Sequence, residues 1–140
     1  MLAVALRGAR GDLAGTAAVH WTRDRDTPSV STPRLYRGQL YFFKPVRSFL
    51  TSVDAATGKT HFKERVGLGN VFASPVAAAG RVYLLGREGK ALVLEPGPTL
   101  NVLAENELDD GFDASPVIVG DTLYLRGRRF LYALARTGDD

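Results

Sequence analysis

The chain has no cysteine among its 140 residues, which excludes disulfides, thiolate catalysis and cysteine-based metal sites together. Histidine is nearly as scarce, with His20 and His61 alone. No apolar run approaches the ~18 residues a membrane helix needs, so no membrane span is expected. An excess of one charge is also missing: 18 Lys and Arg face 15 Asp and Glu, for a net +3. Charge therefore gives no ground for nucleic acid as a partner. The apolar opening Leu2–Leu6 runs at once into Arg7 and Arg10, too short and with its charges on the wrong side for a signal peptide. What is present is a normal globular balance, 45% hydrophobic and 24% charged, with 15 Gly and 7 Pro that suit many tight turns. The length allows one cored domain.

The organising feature is a repeat. Thr32-Pro33, Gly38 and Leu40-Tyr41-Phe42-Phe43 return as Ser74-Pro75, Gly80 and Val82-Tyr83-Leu84-Leu85, then as Ser115-Pro116, Gly120 and Leu123-Tyr124-Leu125. The prolines are 42 and then 41 residues apart, and so are the tyrosines. A period in the low forties with strand-type residues predicts one four-stranded propeller blade per repeat. In the second unit the strands are expected at about Ser74–Ala78, Arg81–Leu85, Ala91–Leu94 and Leu100–Leu108. Continuous apolar runs such as Val82–Leu85 suit strands covered on both faces. Leu100, Leu103, Ala104, Glu107 and Leu108 have helical spacing, but the repeat overrides it. Leu103 lies 41 residues after Phe62, itself 41 after Trp21, so all three are expected to hold one large apolar place on a fourth strand.

The same ruler aligns Asp12, Asp54 and Glu95. It assigns residues 1–22 to two strands of an incomplete blade and 31–66 and 73–108 to full blades. Residues 114–135 form a three-stranded blade ending in Phe130–Leu134. The expected fold class is all-β, antiparallel four-stranded blades of a partial β-propeller of just over three blades. Closed propellers have about four to eight. Either the chain is part of a longer propeller, or a second copy completes the ring as a homo-oligomer, since open edges and faces invite pairing.

At Ser52–Phe62 the text Ser-Val-Asp-Ala-Ala-Thr-Gly-Lys-Thr-His-Phe resembles the tryptophan-docking motif of the pyrroloquinoline-quinone-like propeller repeat, Ala-x-Asp-x-x-Thr-Gly-Lys-x-x-Trp. Ser52 replaces the Ala and Phe62 the Trp, while Trp21 keeps the Trp of the preceding unit. With Ser-Pro and Gly-x-Leu-Tyr before it, the chain is similar to the C-terminal blades of bacterial quinoprotein-like, WD40-like propellers related to BamB. The resemblance implies that Trp21 and Phe62 pack over a peptide plane of an adjacent blade, with Asp12, Asp54 and Gly58 building the receiving turns. The second unit departs most, with Glu95-Pro96-Gly97 and Leu103. The resemblance also implies a periplasmic or extracellular setting. Some relatives are quinone-dependent dehydrogenases, but their calcium-ligating cluster, catalytic Asp and adjacent Cys pair match no motif here. No catalytic residue, cofactor or metal ligand is therefore assigned, and the chain is read as not an enzyme.

His20 and His61 occupy equivalent outer-strand positions that diverge on a radial array, so they are expected to be strand residues rather than a metal pair. Asp109, Asp110 and Asp113 with Gly111 lack the spacing of a calcium loop. The surface is more informative. In a meandering blade, the turn between the second and third strands shares a face with the loop into the next blade. These turns carry Lys44 and Arg47, then Arg87 and Lys90, then Arg126, Arg128 and Arg129, interleaved with Asp24, Asp26, Glu88, Asp109, Asp110 and Asp113. Phe72 and Phe112 on the inter-blade loops are the expected apolar anchors of a docking face. The sequence thus favours a non-catalytic scaffold that presents a loop face to a protein or peptide partner. The alternatives are a piece of a quinone-dependent dehydrogenase whose site lies in other blades, or a separated fragment without independent function.

Overall fold

The computed structural model describes residues 1–44 and 48–135. Among them the chain is all-β, with 13 strands and no helix. Strands β1 (Leu2–Val4) and β2 (Val19–Thr22) form a two-stranded sheet. Strands β3 (Arg34–Tyr36), β4 (Gln39–Lys44), β5 (Phe49–Asp54) and β6 (Thr60–Arg65) form a four-stranded sheet. A second four-stranded sheet holds β7 (Val76–Ala78), β8 (Arg81–Leu85), β9 (Lys90–Glu95) and β10 (Asn101–Glu107). The last sheet has three strands, β11 (Val117–Val119), β12 (Thr122–Arg126) and β13 (Leu131–Ala135). Every pairing is antiparallel between strands that are neighbours in sequence.

Turn chemistry sets the registers. Arg37-Gly38 and Ala79-Gly80 join Tyr36 to Gln39 and Ala78 to Arg81 with all four central φ angles positive, at 49°, 77°, 48° and 74°. Two-residue loops of this hand match the twist of the flanking strands. The Ser/Thr-Pro element has its own task. The Thr32 N–H donates to Ser74 Oγ and the Ser74 N–H to Ser115 Oγ, each at 2.8 Å, so one hydroxyl per sheet receives the backbone of the sheet before it. The following proline keeps each of these residues extended. Tyr36 and Arg34 add further links to the next sheet, through the Gly80 N–H (2.9 Å) and the Ala77 carbonyl (3.0 Å).

Side chains then fill the space between sheets. Tyr41, Phe43, Leu50 and Phe62 of the second sheet bury against Val82, Leu84, Leu92 and Leu94 of the third. Phe42 and Val53, on the opposite face, are fully buried as well, which is why β4 reads as an unbroken apolar run. A smaller cluster of Ala73, Leu85, Phe112 and Leu125 joins the third sheet to the fourth. Trp21 ties the first sheet to the second: its Nε1–H donates to the Ala55 carbonyl at 3.0 Å, and its ring lies over Gly58. Asp54 shapes that turn by accepting from Thr57 Oγ1, Thr57 N–H and Ala56 N–H at 2.7, 2.8 and 3.1 Å. Asp12 holds its own exposed turn through the Ala14 N–H at 2.9 Å.

Residues 101–107 form strand rather than helix, but one alignment is corrected. Each outer strand carries a one-residue bulge, at His20, His61 and Leu103, because the pairing steps from Trp21 to Val19, from Phe62 to Thr60 and from Ala104 to Val102. The place of Trp21 and Phe62 is therefore taken by Ala104, not by Leu103. Leu103 is the extra, unpaired residue and stands 50% exposed. The last strand also begins at Leu131, leaving Phe130 in the preceding turn.

Substituting Gly58 by Ala tests the tryptophan contact. The new Cβ falls 2.6 Å from Trp21 Cδ2, at a φ of +71° that L-residues disfavour. The expected loss is about 1–3 kcal/mol in denaturant unfolding for the backbone alone. Trp21 is the single tryptophan, so a red shift of its emission reports its displacement. An unchanged spectrum and midpoint would count against the contact.

Candidate binding face

The inter-sheet loops and the turns between second and third strands are bonded into one surface. The Arg87 N–H donates to the Asn70 carbonyl at 2.8 Å, and 41 residues on the Arg128 N–H donates to the Gly111 carbonyl at 2.9 Å. The Phe112 N–H donates to the Arg87 carbonyl at 3.0 Å, joining the turn of the third sheet to the loop that follows it. The face therefore has a fixed backbone on which side-chain positions repeat.

Most of its charges are answered within the chain. Asp113 takes Arg87 Nε at 2.6 Å and Arg128 Nε at 3.3 Å. Arg129 Nη2 meets Asp109 at 2.9 Å. Asp26 takes Lys63 at 2.7 Å and Lys44 at 3.1 Å. Hydrogen bonds from Arg87 and then Arg128 hold the Asp113 carboxyl below its ordinary value, and Lys63 and then Lys44 do the same for Asp26. Lys90 lies in β9 and pairs with Glu105 of β10 at 2.5 Å, so it faces a strand rather than the rim. Arg126, at the end of β12, is exposed. Arg47 lies outside the described residues.

The aromatic residues divide sharply. Phe72 is 39% exposed, with the Arg87 guanidinium stacked 4.6 Å from its ring centre. Phe112 is 0% exposed, packed 5.7 Å from the Tyr132 ring, so it is a core residue and not an anchor. Its loop turns inward because the third and fourth sheets need an apolar filler between Leu85 and Leu125. Phe130 takes the exposed role instead, at 58%, with the Arg129 guanidinium 5.4 Å from its ring centre. His20 and His61 are both exposed bulge residues. Among the described residues no three or more His, Asp or Glu come together to hold a metal ion.

Asp110 has a role that spacing alone did not show. Its side chain is 1% exposed and stitches the loop before the fourth sheet to the turn within it. Oδ1 accepts the N–H groups of Gly111 (2.7 Å), Arg128 (3.1 Å) and Arg129 (3.2 Å). Oδ2 accepts the Phe130 N–H (3.1 Å) and the Tyr132 hydroxyl (3.2 Å). Burial alone would raise its pKa, but the donors from Gly111, Arg129, Phe130 and Tyr132 outweigh that and hold it below the ordinary value.

The comparisons with known proteins fit this geometry. No family model and no curated protein sequence matches the chain. Among solved structures, BamB from Moraxella catarrhalis superposes with a TM-score of 0.69 at 18% identity, over 87% of this chain and 38% of that one. The quinohemoprotein alcohol dehydrogenase from Comamonas testosteroni gives 0.59 at 16% identity, over 79% of this chain and 20% of the other. A europium-containing methanol dehydrogenase gives 0.57 at 14%, over 74% and 22%. The fold is that of part of a β-propeller, shared with these three structures. The propeller blades here span well under half the length of the structures they match. No helix among the described residues is long and apolar enough to cross a membrane.

The Asp110 network gives a pH prediction. A depressed folded pKa means stability that is present above the unfolded value, ordinarily 3.8, and lost as pH falls through the folded one. Asp110→Asn should therefore melt below the wild type at pH 7, and thermal scans should show the gap narrowing below pH 3.8. A gap that stays constant down to acid pH would remove the carboxylate from this role.

Proposed function

We propose that the chain is a non-catalytic β-propeller scaffold whose loop face docks a protein or peptide partner. The observation that carries this reading is the pair of exposed aromatic rings, Phe72 and Phe130, each stacked with its own arginine. A guanidinium held over a ring keeps a large apolar contact pre-ordered, which lowers the entropy cost of binding. Charges around them are largely neutralised in pairs, so the partner's chemistry is apolar contact with a polar rim rather than a highly acidic surface.

A second reading, part of a quinone-dependent dehydrogenase propeller, draws support from the two dehydrogenases of the same fold. The described residues supply no converging donor set for a metal ion, so no step of such a reaction is assigned to them. A thermal shift on adding quinone with calcium would favour it.

For a partner found to bind this chain, calorimetric titration should show Phe72→Ala and Phe130→Ala each weakening affinity about tenfold or more, some 1.4 kcal/mol. Lys59→Ala, in the turn between β5 and β6 on the opposite side, should leave affinity unchanged. Equal losses from all three, or none from the aromatics, would discard the loop face as the docking surface.

A further inference from the structure

Two junctions are held by the same relay but filled differently. The bonds from Thr32 to Ser74 and from Ser74 to Ser115 are both 2.8 Å long, which sets β3, β7 and β11 at matching separations. Between the second and third sheets, three side chains at the end of β3 occupy the gap. Arg34 Nη2 donates to the Ala77 carbonyl at 3.0 Å, and the Tyr36 hydroxyl accepts the Gly80 N–H at 2.9 Å. The Arg37 guanidinium lies 5.6 Å from the Tyr36 ring centre. The hairpin registers, Tyr36 opposite Gln39 and Ala78 opposite Arg81, make Val76, Ala78 and Ala79 the counterparts one sheet later. Two guanidiniums and a phenol have become an isopropyl group and two methyls.

The gap between the third and fourth sheets stays open. It is a cleft of about 740 Å³, with Ala78, Ala79 and Tyr83 on one wall and Ile118, Gly120 and Asp121 on the other. That size falls within the ~300–1,000 Å³ of ligand sites. Its polar groups are the ones the shortened side chains leave behind. Asp121 is the second residue of its two-residue turn, as Gly80 is of its own, and its N–H has no acceptor among the described residues. The Ile118 carbonyl, in the place of the Ala77 carbonyl, receives no guanidinium. Tyr83 is unclaimed as well. Tyr41 bonds Gln39 and the Gly97 N–H, whereas Arg81 stands in the place of Gln39 and the Tyr83 hydroxyl bonds no described residue.

The preceding junction shows which chemistry this arrangement holds. We propose that the cleft binds a small phenol, with its ring against Ala78 and Ile118 and its hydroxyl accepting the Asp121 N–H as Tyr36 accepts that of Gly80. The remaining room and the Tyr83 hydroxyl accommodate polar substituents on the ring. A free molecule fits better than a partner's tyrosine. Tyr36 reaches its place from within its own sheet, whereas an incoming chain would have to bring its backbone between β7 and β11, which the Ser74–Ser115 bond keeps together. The phenol's place is built from the first two strands of the two sheets and the turns that join them. It lies at the opposite end of those strands from the loop face and stands or falls independently of it.

The test titrates p-cresol, the free counterpart of a tyrosine side chain, and toluene, which lacks the hydroxyl, into the isotope-labelled chain and follows its amide resonances. p-Cresol is expected to bind about fivefold more tightly than toluene, the worth of one hydrogen bond, and to shift the Asp121 amide. Ala78→Tyr puts back the residue of the preceding junction. It is expected to raise the melting temperature and to weaken p-cresol about tenfold or more. Should that variant fail to fold, Ala79→Arg narrows the same cleft at a φ of 48°, close to the 49° that Arg37 already adopts, and is expected to weaken p-cresol too. Phe72→Ala, on the loop face, should leave p-cresol affinity unchanged. Equal affinity for p-cresol and toluene, or shifts confined to the loop face, overturns the proposal. Undiminished binding in the folded cleft variants, or a comparable loss in Phe72→Ala, does the same. Tighter binding of the peptide Gly-Tyr-Gly than of p-cresol would assign the cleft to a polypeptide, and a concentration-dependent dimer that p-cresol dissolves would assign it to a second copy. Either result overturns the proposal.

Discussion

Packing of one sheet's apolar face against the next is the interaction on which everything else in this chain rests. A lone antiparallel sheet with two apolar faces has no stable existence in water. Here the second sheet is covered on both sides, Phe42 and Val53 facing one way and Tyr41, Phe43, Leu50 and Phe62 the other. Its edges and turns can then be occupied with other tasks. Tyr41 shows how polar groups are accommodated inside such a junction: its hydroxyl donates to Gln39 Oε1 at 2.9 Å and accepts the Gly97 N–H at 3.1 Å. A buried ring thus reaches the third sheet's turn without stranding its oxygen.

How much of this was legible in the sequence depends on whether a feature repeats. Strands and hairpin glycines repeat, so the 41-residue ruler located them closely. The docking of Trp21 on the Gly58 turn was implied by the resemblance of Ser52–Phe62 to a tryptophan-docking motif, not by the spacing itself. The error over Leu103 has a physical origin. Counting residues cannot reveal which member of a bulge is squeezed out, and Leu103 looks more like Phe62 than Ala104 does. The inward turn of Phe112 was hidden for a related reason: an aromatic on a loop looks the same whether it faces water or the gap behind it. Asp110 was visible only as one of several acids, because its significance lies in backbone N–H groups that no side-chain pattern announces.

The loop face illustrates how a charged rim can be misleading. A run of lysines and arginines in successive turns suggests an attractive field, yet Asp26, Asp109 and Asp113 sit within bonding distance of most of them. Exposed pairs of this kind add little stability. Their effect is to fix side chains and flatten the potential, leaving Phe72 and Phe130 as the features that differ from ordinary solvated surface.

The hydroxyl relay through Thr32, Ser74 and Ser115 is one-way: each backbone donor looks forward and each Oγ looks back. Two backbone donor ends brought together would leave both N–H groups without an acceptor. Whatever adjoins these sheets through the relay must therefore come head to tail, and head-to-tail contacts propagate until they close into a circle or run on as a filament.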